Sequence, residues 1–491
     1  MTVSQLASSG IEGLDNVLGG GFPSNHLYLV QGDPGVGKTT IGLQFLMAGV
    51  ARGEASLYIT LSESLRELQE VASSHGWHLE GVEVVELSAI EQSSGLEPAN
   101  TLFEPSEVEL QETTRTMLAH IDRVRPTRVV IDSLSELRLL AQHALRFRRQ
   151  VLGFRQYFAD KHATVLLLDD RTSEPDDLQL QSLAHGVIHL EQIAPLYGED
   201  RRRLRIRKLR GVRFRGGYHD FSIKTGGIAV YPRLVAAEHH TRFAPEQLSS
   251  NLVELDQLLG GGIDRGTCTL LTGPAGTGKS AIAVQYAAAT AGRGECAAVF
   301  AFDERVSTLI DRSRALGIDI DKFTGSKKLV LQQVDPAELS VGELTHTIRR
   351  MVEHDGVKLI VIDSLNGYLQ AMPEDTLLTV QLHELLSYLA QQGVTTVLTM
   401  AQHGLFGTMA APVDVSYLAD TVLLLRYFEA EGQVRKAISV VKKRSGAHEN
   451  LIRELTVSNG RLQVGQPLSG FSGVLTGVPS FRGKVTDLSQ P

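Results

Sequence analysis

The sequence predicts an α/β architecture used twice: two tandem domains, each a mostly parallel sheet flanked by helices. Three observations lead there. First, GLDNVLGGGF at 13–22 and LYLVQGDPGVGKTTIGLQF at 27–45 match ELDQLLGGGI at 254–263 and CTLLTGPAGTGKSAIAVQY at 268–286. Leu14 pairs with Leu255, Asp15 with Asp256, Lys38 with Lys279, Gly53 with Gly294 and Glu63 with Glu304, each 241 positions apart. A constant offset over such a stretch marks a duplication, and a period of half the chain marks a tandem pair, not a solenoid. Second, apolar runs without polar alternation (LYLV, SLYIT, RVVID, ATVLLL and GVIHL; CTLLT, AAVFAF, LIVID, TTVLTM and TVLLL) alternate with helical periodicity, as in VQLHELLSYLAQQG. Strands buried on both faces belong to parallel sheets covered by helices. Third, each copy carries a glycine-rich loop between a strand and a helix, the place where such sheets bind ligands.

The repeat also sets the boundaries. VVIDSL (129–134) matches IVIDSL (360–365) at offset 231, and KLRG (208–211) matches KKRS (442–445) at offset 234, so the first copy holds extra residues, expected within 89–107. The expected domains are 1–240 and 241–475, followed by a tail, 476–491. Composition agrees with a folded chain: 491 residues, 42% hydrophobic and 21% charged, with a mean hydropathy of −0.03. The net charge of −8 argues against a polycationic nucleic-acid coat. No apolar run approaches the ~18 residues of a membrane span, and the N-terminus lacks the basic-then-apolar pattern of a signal peptide. Only two cysteines, Cys268 and Cys296, are present, too few for a disulfide framework or a four-ligand zinc site, so a cytoplasmic location is expected. Glycine, with 47 residues, exceeds the usual share of about 7%.

The loops Gly32-Asp33-Pro34-Gly35-Val36-Gly37-Lys38-Thr39 and Gly273-Pro274-Ala275-Gly276-Thr277-Gly278-Lys279-Ser280 both satisfy G-x-x-x-x-G-K-[ST]. With Thr40 and Ala281, they are the expected ATP-binding residues. Glycines allow positive φ and close backbone approach, so N–H groups at a helix N-terminus can surround phosphate oxygens. Lys38 and Lys279 would neutralise the β- and γ-phosphates, while the Thr39 and Ser280 hydroxyls would face Mg2+. Asp132 and Asp363 end apolar runs and so emerge at strand tips, where each would complete the metal site. An isolated strand-ending Asp would be unremarkable; the phosphate loop upstream of each makes it a Walker-B candidate.

A further strand in each copy runs into an acidic tip, at Glu63 and at Asp303-Glu304. An acid there stands opposite the γ-phosphate and can polarise an attacking water or hydroxyl, or alternatively cap the following helix. Ser62 occupies the position of Asp303, so the second site has two adjacent carboxylates and the first has one. The segment 201–215 is strongly basic. A solvated strand edge and nucleic-acid contact are both possible readings; a third is that Lys208 with Arg210, and Lys442 with Arg444, spaced i, i+2, reach a neighbouring subunit's γ-phosphate as trans-acting fingers.

The order GLDxxLGGG, phosphate loop, tip glutamate, IDSL and KxRG, duplicated in one chain, resembles the KaiC family of RecA-like ATPases, the bacterial circadian-clock ATPase and its relatives. The resemblance covers most of the chain. It implies a two-tiered homohexamer with ATP bound between subunits, a first tier that is mainly an ATPase, and a second tier with serine/threonine autokinase and autophosphatase activity. KaiB-like or other signalling partner proteins are implied as well. The family's paired glutamates fall on Ser62-Glu63 and Asp303-Glu304, so neither pair is intact; Glu63 would serve hydrolysis and Asp303 the kinase reaction. The family's adjacent Ser-Thr phosphoacceptors fall on Ser416 and Tyr417, which leaves Ser416 as the candidate acceptor, a local hydrogen-bonding role being the alternative. Asp170 and Gln402, at corresponding strand ends, are candidate γ-phosphate sensors, and Trp77 is expected in packing or an interface. Two other functions fit the fold: a DNA-dependent motor, against which the acidic charge and the lack of an added DNA-binding domain argue, and a nucleotide-gated scaffold without appreciable hydrolysis.

Overall fold

The computed structural model describes residues 5–87, 105–170, 178–195, 198–338, 340–370, 378–402, 415–458, 460–476 and 480–481. Most of the stretch expected to hold the first copy's extra residues, and most of the tail, lie outside the described residues. The chain divides into two compact units, Met1–Arg233 and Leu234–Pro491.

In unit 1 the sheet strands are β1 (Leu27–Gly32), β2 (Ser56–Thr60), β3 (Val82–Glu86), β4 (Arg128–Asp132), β5 (Thr164–Asp170), β6 (Gly186–Ile193), β7 (Arg201–Leu209), β8 (His219–Lys224) and β9 (Gly227–Tyr231). Their order across the sheet is β9-β8-β7-β6-β1-β5-β4-β2-β3. From β6 to β3 all neighbours are parallel, while β7, β8 and β9 extend one side as an antiparallel ribbon. Unit 2 repeats the plan with β10 (Cys268–Gly273), β11 (Cys296–Ala301), β12 (Leu329–Gln333), β13 (Val357–Asp363), β14 (Thr395–Ala401), β15 (Thr421–Ala430), β16 (Gln433–Lys443), β17 (Arg453–Ser458) and β18 (Arg461–Pro467), in the order β12-β11-β13-β14-β10-β15-β16-β17-β18. Each unit is thus a RecA-like sheet with an antiparallel extension.

The central strands are buried along their whole length, as their unbroken apolar runs require. Each sheet separates two apolar cores, one on either face. Two helices per unit matter for the sites. The phosphate loops open α1 (Lys38–Val50) and α3 (Lys279–Gly292), and the acidic tips precede α2 (Leu65–Ser74) and α4 (Val306–Ala315). A capping box starts α2: the Ser64 hydroxyl accepts from the Glu67 N–H and the Glu67 carboxylate accepts from the Ser64 N–H. Its counterpart α4 starts at Arg305 without a side-chain cap.

The GGG turns explain part of the glycine excess. Gly19, Gly20 and Gly21, like Gly260, Gly261 and Gly262, all have positive φ, and a Cβ on Gly262 would lie 2.4 Å from the Leu248 carbonyl oxygen. Trp77 packs in unit 1, half-buried against the core and close over Gly227. Among the described residues no helix is long and apolar enough to cross a membrane.

One buried cation ties unit 1 together. Arg128, 1% exposed, pairs with Glu54, donates to the Ser8 and Phe45 carbonyls at 2.7 Å each, and stands over the Phe45 ring. Replacing it by methionine strands a carboxylate and two carbonyls. R128M is therefore expected to destabilise unit 1 by about 3 kcal/mol, lowering the midpoint of that unit's transition in urea denaturation and leaving the transition of unit 2 in place.

Candidate functional site

Both phosphate loops have the backbone the motif demands. Gly35 and Gly37 have φ of 80° and 108°, and Gly276 and Gly278 have φ of 78° and 109°, left-handed values that favour glycine. Val36 and Thr277 anchor the loops inward, and Thr40 and Ala281 bury the first turn of α1 and α3. Asp33 and Pro34, like Ala275, face outward.

The two lysines are buried against their own loops. Lys38 Nζ donates to the carbonyls of Gly32 at 2.9 Å and Asp33 at 2.8 Å; Lys279 Nζ donates to those of Gly273 at 2.9 Å and Pro274 at 2.7 Å. Their counter-charges differ. Lys38 forms an ion pair with Asp170 at 2.6 Å, whereas the matching position in unit 2 is Gln402, whose Oε1 is buried without a hydrogen-bond partner. Burial depresses the Lys279 ammonium to about 8, an effect opposed by Asp363 and Asp303.

The expected metal-site pairs are in contact. The Thr39 hydroxyl donates to Asp132 at 2.9 Å and the Ser280 hydroxyl to Asp363 at 3.0 Å. These oxygen-only pairs beside a phosphate loop fit Mg2+, which favours oxygen donors and keeps several waters. A second hydroxyl braces each aspartate: Tyr58 donates to Asp132 at 2.5 Å, and Thr399 donates to Asp363. Burial raises the Asp132 carboxyl, while its bonds from Tyr58 and Thr39 pull it down. The peptide following each aspartate is cis. Among the described residues no group of three or more His, Cys, Asp and Glu residues forms a metal cluster.

The acidic tips diverge. Glu63 is half-buried, its Oε2 has no hydrogen-bond partner, and desolvation, reinforced by Asp132, raises its carboxyl to about 7. In unit 2, Ser364 donates to Asp303, and Arg312 binds Glu304 through two bonds of 2.6 and 2.8 Å. Burial raises the Glu304 carboxyl, with Arg312 opposing the shift.

The remaining expected residues lie elsewhere. Lys208 pairs in register with Val187, and Val187 with Leu29, three positions before β1 runs into its loop. Its Nζ points further back, to the carbonyls of Gln181 at 2.8 Å and Ser182 at 3.1 Å, and Arg210 also donates to Ser182 at 3.1 Å. In unit 2, Lys442 donates to the carbonyls of Ser416 at 2.9 Å and Ala419 at 2.8 Å, and Arg444 to that of Tyr417 at 2.8 Å and to Asp420. Each cation pair does share one side, as the i, i+2 spacing suggested. Both pairs, and Ser416, sit at the end of the sheet opposite their own unit's phosphate loop.

Residues that the motifs did not single out complete the unit-2 site. A cavity of about 260 Å³ beside Gly276–Ala281 is walled by Arg312 of α4, Leu316 just after it, Lys436 of β16, Leu455 and Val457 of β17, and Leu462 of β18. Its apolar wall suits a base and its loop suits phosphates. No local motif announces these residues, because the antiparallel extension brings them there from far along the chain.

Fold and site together define a tandem RecA-like P-loop ATPase. The KaiC ATPase family model matches residues 7–235 and again 248–469, and the chain belongs to that family. It is 28% identical over 483 residues to the circadian clock oscillator protein KaiC of a Picosynechococcus species, covering 96% of this chain and 91% of that one. It is 26% identical to the protein of the same name from Parathermosynechococcus lividus, covering 96% and 87%, and 27% identical to the circadian clock protein KaiC2 of a Synechocystis species, covering 96% and 83%.

Separate removal of the two loop lysines tests the duplicated site. Lys38→Ala and Lys279→Ala are each expected to remove about half of the ATP retained per chain in equilibrium dialysis, and the double variant nearly all of it.

Proposed function

We propose that this chain hydrolyses ATP in unit 1 and phosphorylates its own kind on Ser416 in unit 2, acting as a hexamer whose nucleotide and phosphorylation state is read by KaiB-like or other signalling proteins in the cytoplasm. One observation carries the reading: Ser416, Lys442 and Arg444 cluster at the end of the unit-2 sheet opposite Lys279. The six residues of β10 alone span roughly 17 Å, so a unit's own γ-phosphate is out of reach of its own Ser416. A neighbouring copy in a ring would bring one unit's phosphate loop to the next unit's acceptor and cations. The family relationship and the doubled architecture support the same arrangement.

In unit 1, Glu63 is the base. Its ionised carboxylate takes a proton from water as the water oxygen bonds the γ-phosphorus, and ADP leaves with the electron pair of the broken bond. Lys38 exchanges Asp170 for phosphate oxygens, and Lys208 and Arg210 of a neighbouring copy add positive charge. In unit 2, Asp303, held by Ser364, takes the proton of the Ser416 hydroxyl of the adjacent copy as that oxygen bonds the γ-phosphorus and ADP leaves with the electron pair of the broken bond, while Lys279 and the adjacent copy's Lys442 and Arg444 contact the transferring group. Thr39 with Asp132, and Ser280 with Asp363, would hold Mg2+, which when bound would neutralise phosphate charge.

Two measurements test this. Incubation with Mg-ATP followed by phosphopeptide mapping is expected to find phosphate on Ser416 and to lose it in Asp303→Asn; active hydrolysis with no phosphate there refutes the kinase part. In a Lys279→Ala protein, which reports unit 1, phosphate release should rise with pH through about 7, where Glu63 ionises. Glu63→Gln should lower its kcat by roughly 10²-fold or more and abolish that limb. The stability linkage has the opposite sign: a carboxyl raised in the folded state binds more protons than in the unfolded chain, so its contribution to stability falls as pH rises from the unfolded value of 4.5 to about 7.

A further inference from the structure

Superposing the two copies by their repeat pairs Glu63 with Glu304 and α2 with α4, and it places Val71 where unit 2 has Arg312. The consequence in each unit is visible. Val71 packs into the core of unit 1, and Glu63 keeps a carboxylate oxygen without a hydrogen-bond partner. Arg312 grips both oxygens of Glu304 in a fork at 2.6 and 2.8 Å, the geometry that makes guanidinium–carboxylate pairs strong and directional. The same arginine lines the cavity beside the unit-2 phosphate loop. A carboxylate gripped at both oxygens by a guanidinium has one acceptor site on each oxygen taken and its charge partly neutralised, which makes it a weaker and orientationally fixed proton acceptor.

Resting on the reading of unit 2 as an ATP site, we infer that Arg312 is a positioning residue that holds Glu304 out of proton transfer and so restrains hydrolysis in unit 2. In unit 1, where Val71 takes the place of the arginine, Glu63 Oε2 has no hydrogen-bond partner among the described residues. The restrained step is the attack of water on the γ-phosphorus: the oxygen–phosphorus bond forms, Glu304 would take the water proton, and the β–γ bridging bond breaks with its electrons going to ADP. With Glu304 held, the γ-phosphoryl group is left for transfer to a hydroxyl, whose proton goes to Asp303. The restraint therefore favours phosphorylation over loss of ATP to water, and it is a property of one side chain, not of the fold.

The test uses the full chain carrying Lys38→Ala, so that unit 2 alone turns over ATP. Arg312→Val, which installs the unit-1 residue, and Arg312→Gln, which removes the charge and keeps a polar side chain, are both expected to raise kcat for phosphate release on the order of tenfold. Arg312→Lys, which keeps the charge but cannot form the two-pronged grip, should give a gain between the parent and Arg312→Gln. The gain should vanish when Glu304→Gln is added, because the released carboxylate is its source. A merely structural role predicts the opposite, a lower kcat and weaker ATP binding. If ATP remains bound and kcat is unchanged or falls in both Arg312→Val and Arg312→Gln, or if the gain survives Glu304→Gln, the inference is overturned. Failure of the Lys38→Ala parent to bind ATP at all would instead overturn the reading of unit 2 as a nucleotide site, and the inference with it.

Discussion

A parallel strand has a carboxyl end and an amino end, and a group fixed at one cannot serve the other within the same sheet. Both units of this protein are organised around that polarity. The phosphate loops, metal-site aspartates and acidic tips all leave carboxyl ends, where helix N-termini offer N–H groups to anions. The cations at Lys208, Arg210, Lys442 and Arg444 are bound to carbonyls at the amino ends. The antiparallel extension serves both places. Its far strands close on the loop, with Ile223 and Ile228 near Gly37 and Leu455 near Gly278, while its nearest strand carries the lysine and arginine back to the opposite edge. The proposed head-to-tail use of such a sheet, active end against complementary end, rests on this polarity, and a closed ring is the assembly that would give every such end a mate.

Burial of the loop lysines follows from the same geometry. An ammonium withdrawn from water is costly unless hydrogen-bonded, and here two backbone carbonyls of the loop accept from each Nζ. Unit 1 adds Asp170 to the arrangement and unit 2 does not. The unpartnered Oε2 of Glu63 and Oε1 of Gln402 are the converse: polar atoms kept desolvated without a partner, at a cost to stability, in the places where a reacting phosphate would be met.

Much of this was legible in the sequence because duplication turns weak signals into strong ones. A single glycine-rich loop or strand-ending aspartate is ambiguous; the same loop, aspartate and tip glutamate recurring in register are not, and the structure puts Lys38 with Thr39 and Asp132, and Lys279 with Ser280 and Asp363, as the spacing implied. The parallel strands were legible for a similar reason, since strands buried on both faces lose polar alternation. The cavity wall was not. Leu316 comes from the C-terminal end of α4, and Lys436, Leu455 and Leu462 from strands more than a hundred residues later, so only the folded chain assembles them. Nor could periodicity reveal that Lys208 and Lys442 bend back to carbonyls at the amino edge, because the i, i+2 spacing fixes a shared side and says nothing of the direction along the strand.

The copies share backbone φ to within a few degrees at Gly35 and Gly276 and at Gly37 and Gly278, so side chains around a common frame carry much of their difference. Three positions hold it. Ser62 against Asp303 decides whether one or two carboxylates stand at the tip; Asp170 against Gln402 decides whether the loop lysine has a fixed counter-ion; Val71 against Arg312 decides whether the tip glutamate is bound. Each change alters charge near a phosphate loop or an acidic tip while leaving the sheet untouched, so the proposed division of one substrate between two reactions would need no change of scaffold. Lone-pair availability at one glutamate is a small structural difference. Because rate depends exponentially on transition-state free energy, the proposed restraint on Glu304 needs no larger difference than this to favour a hydroxyl over water.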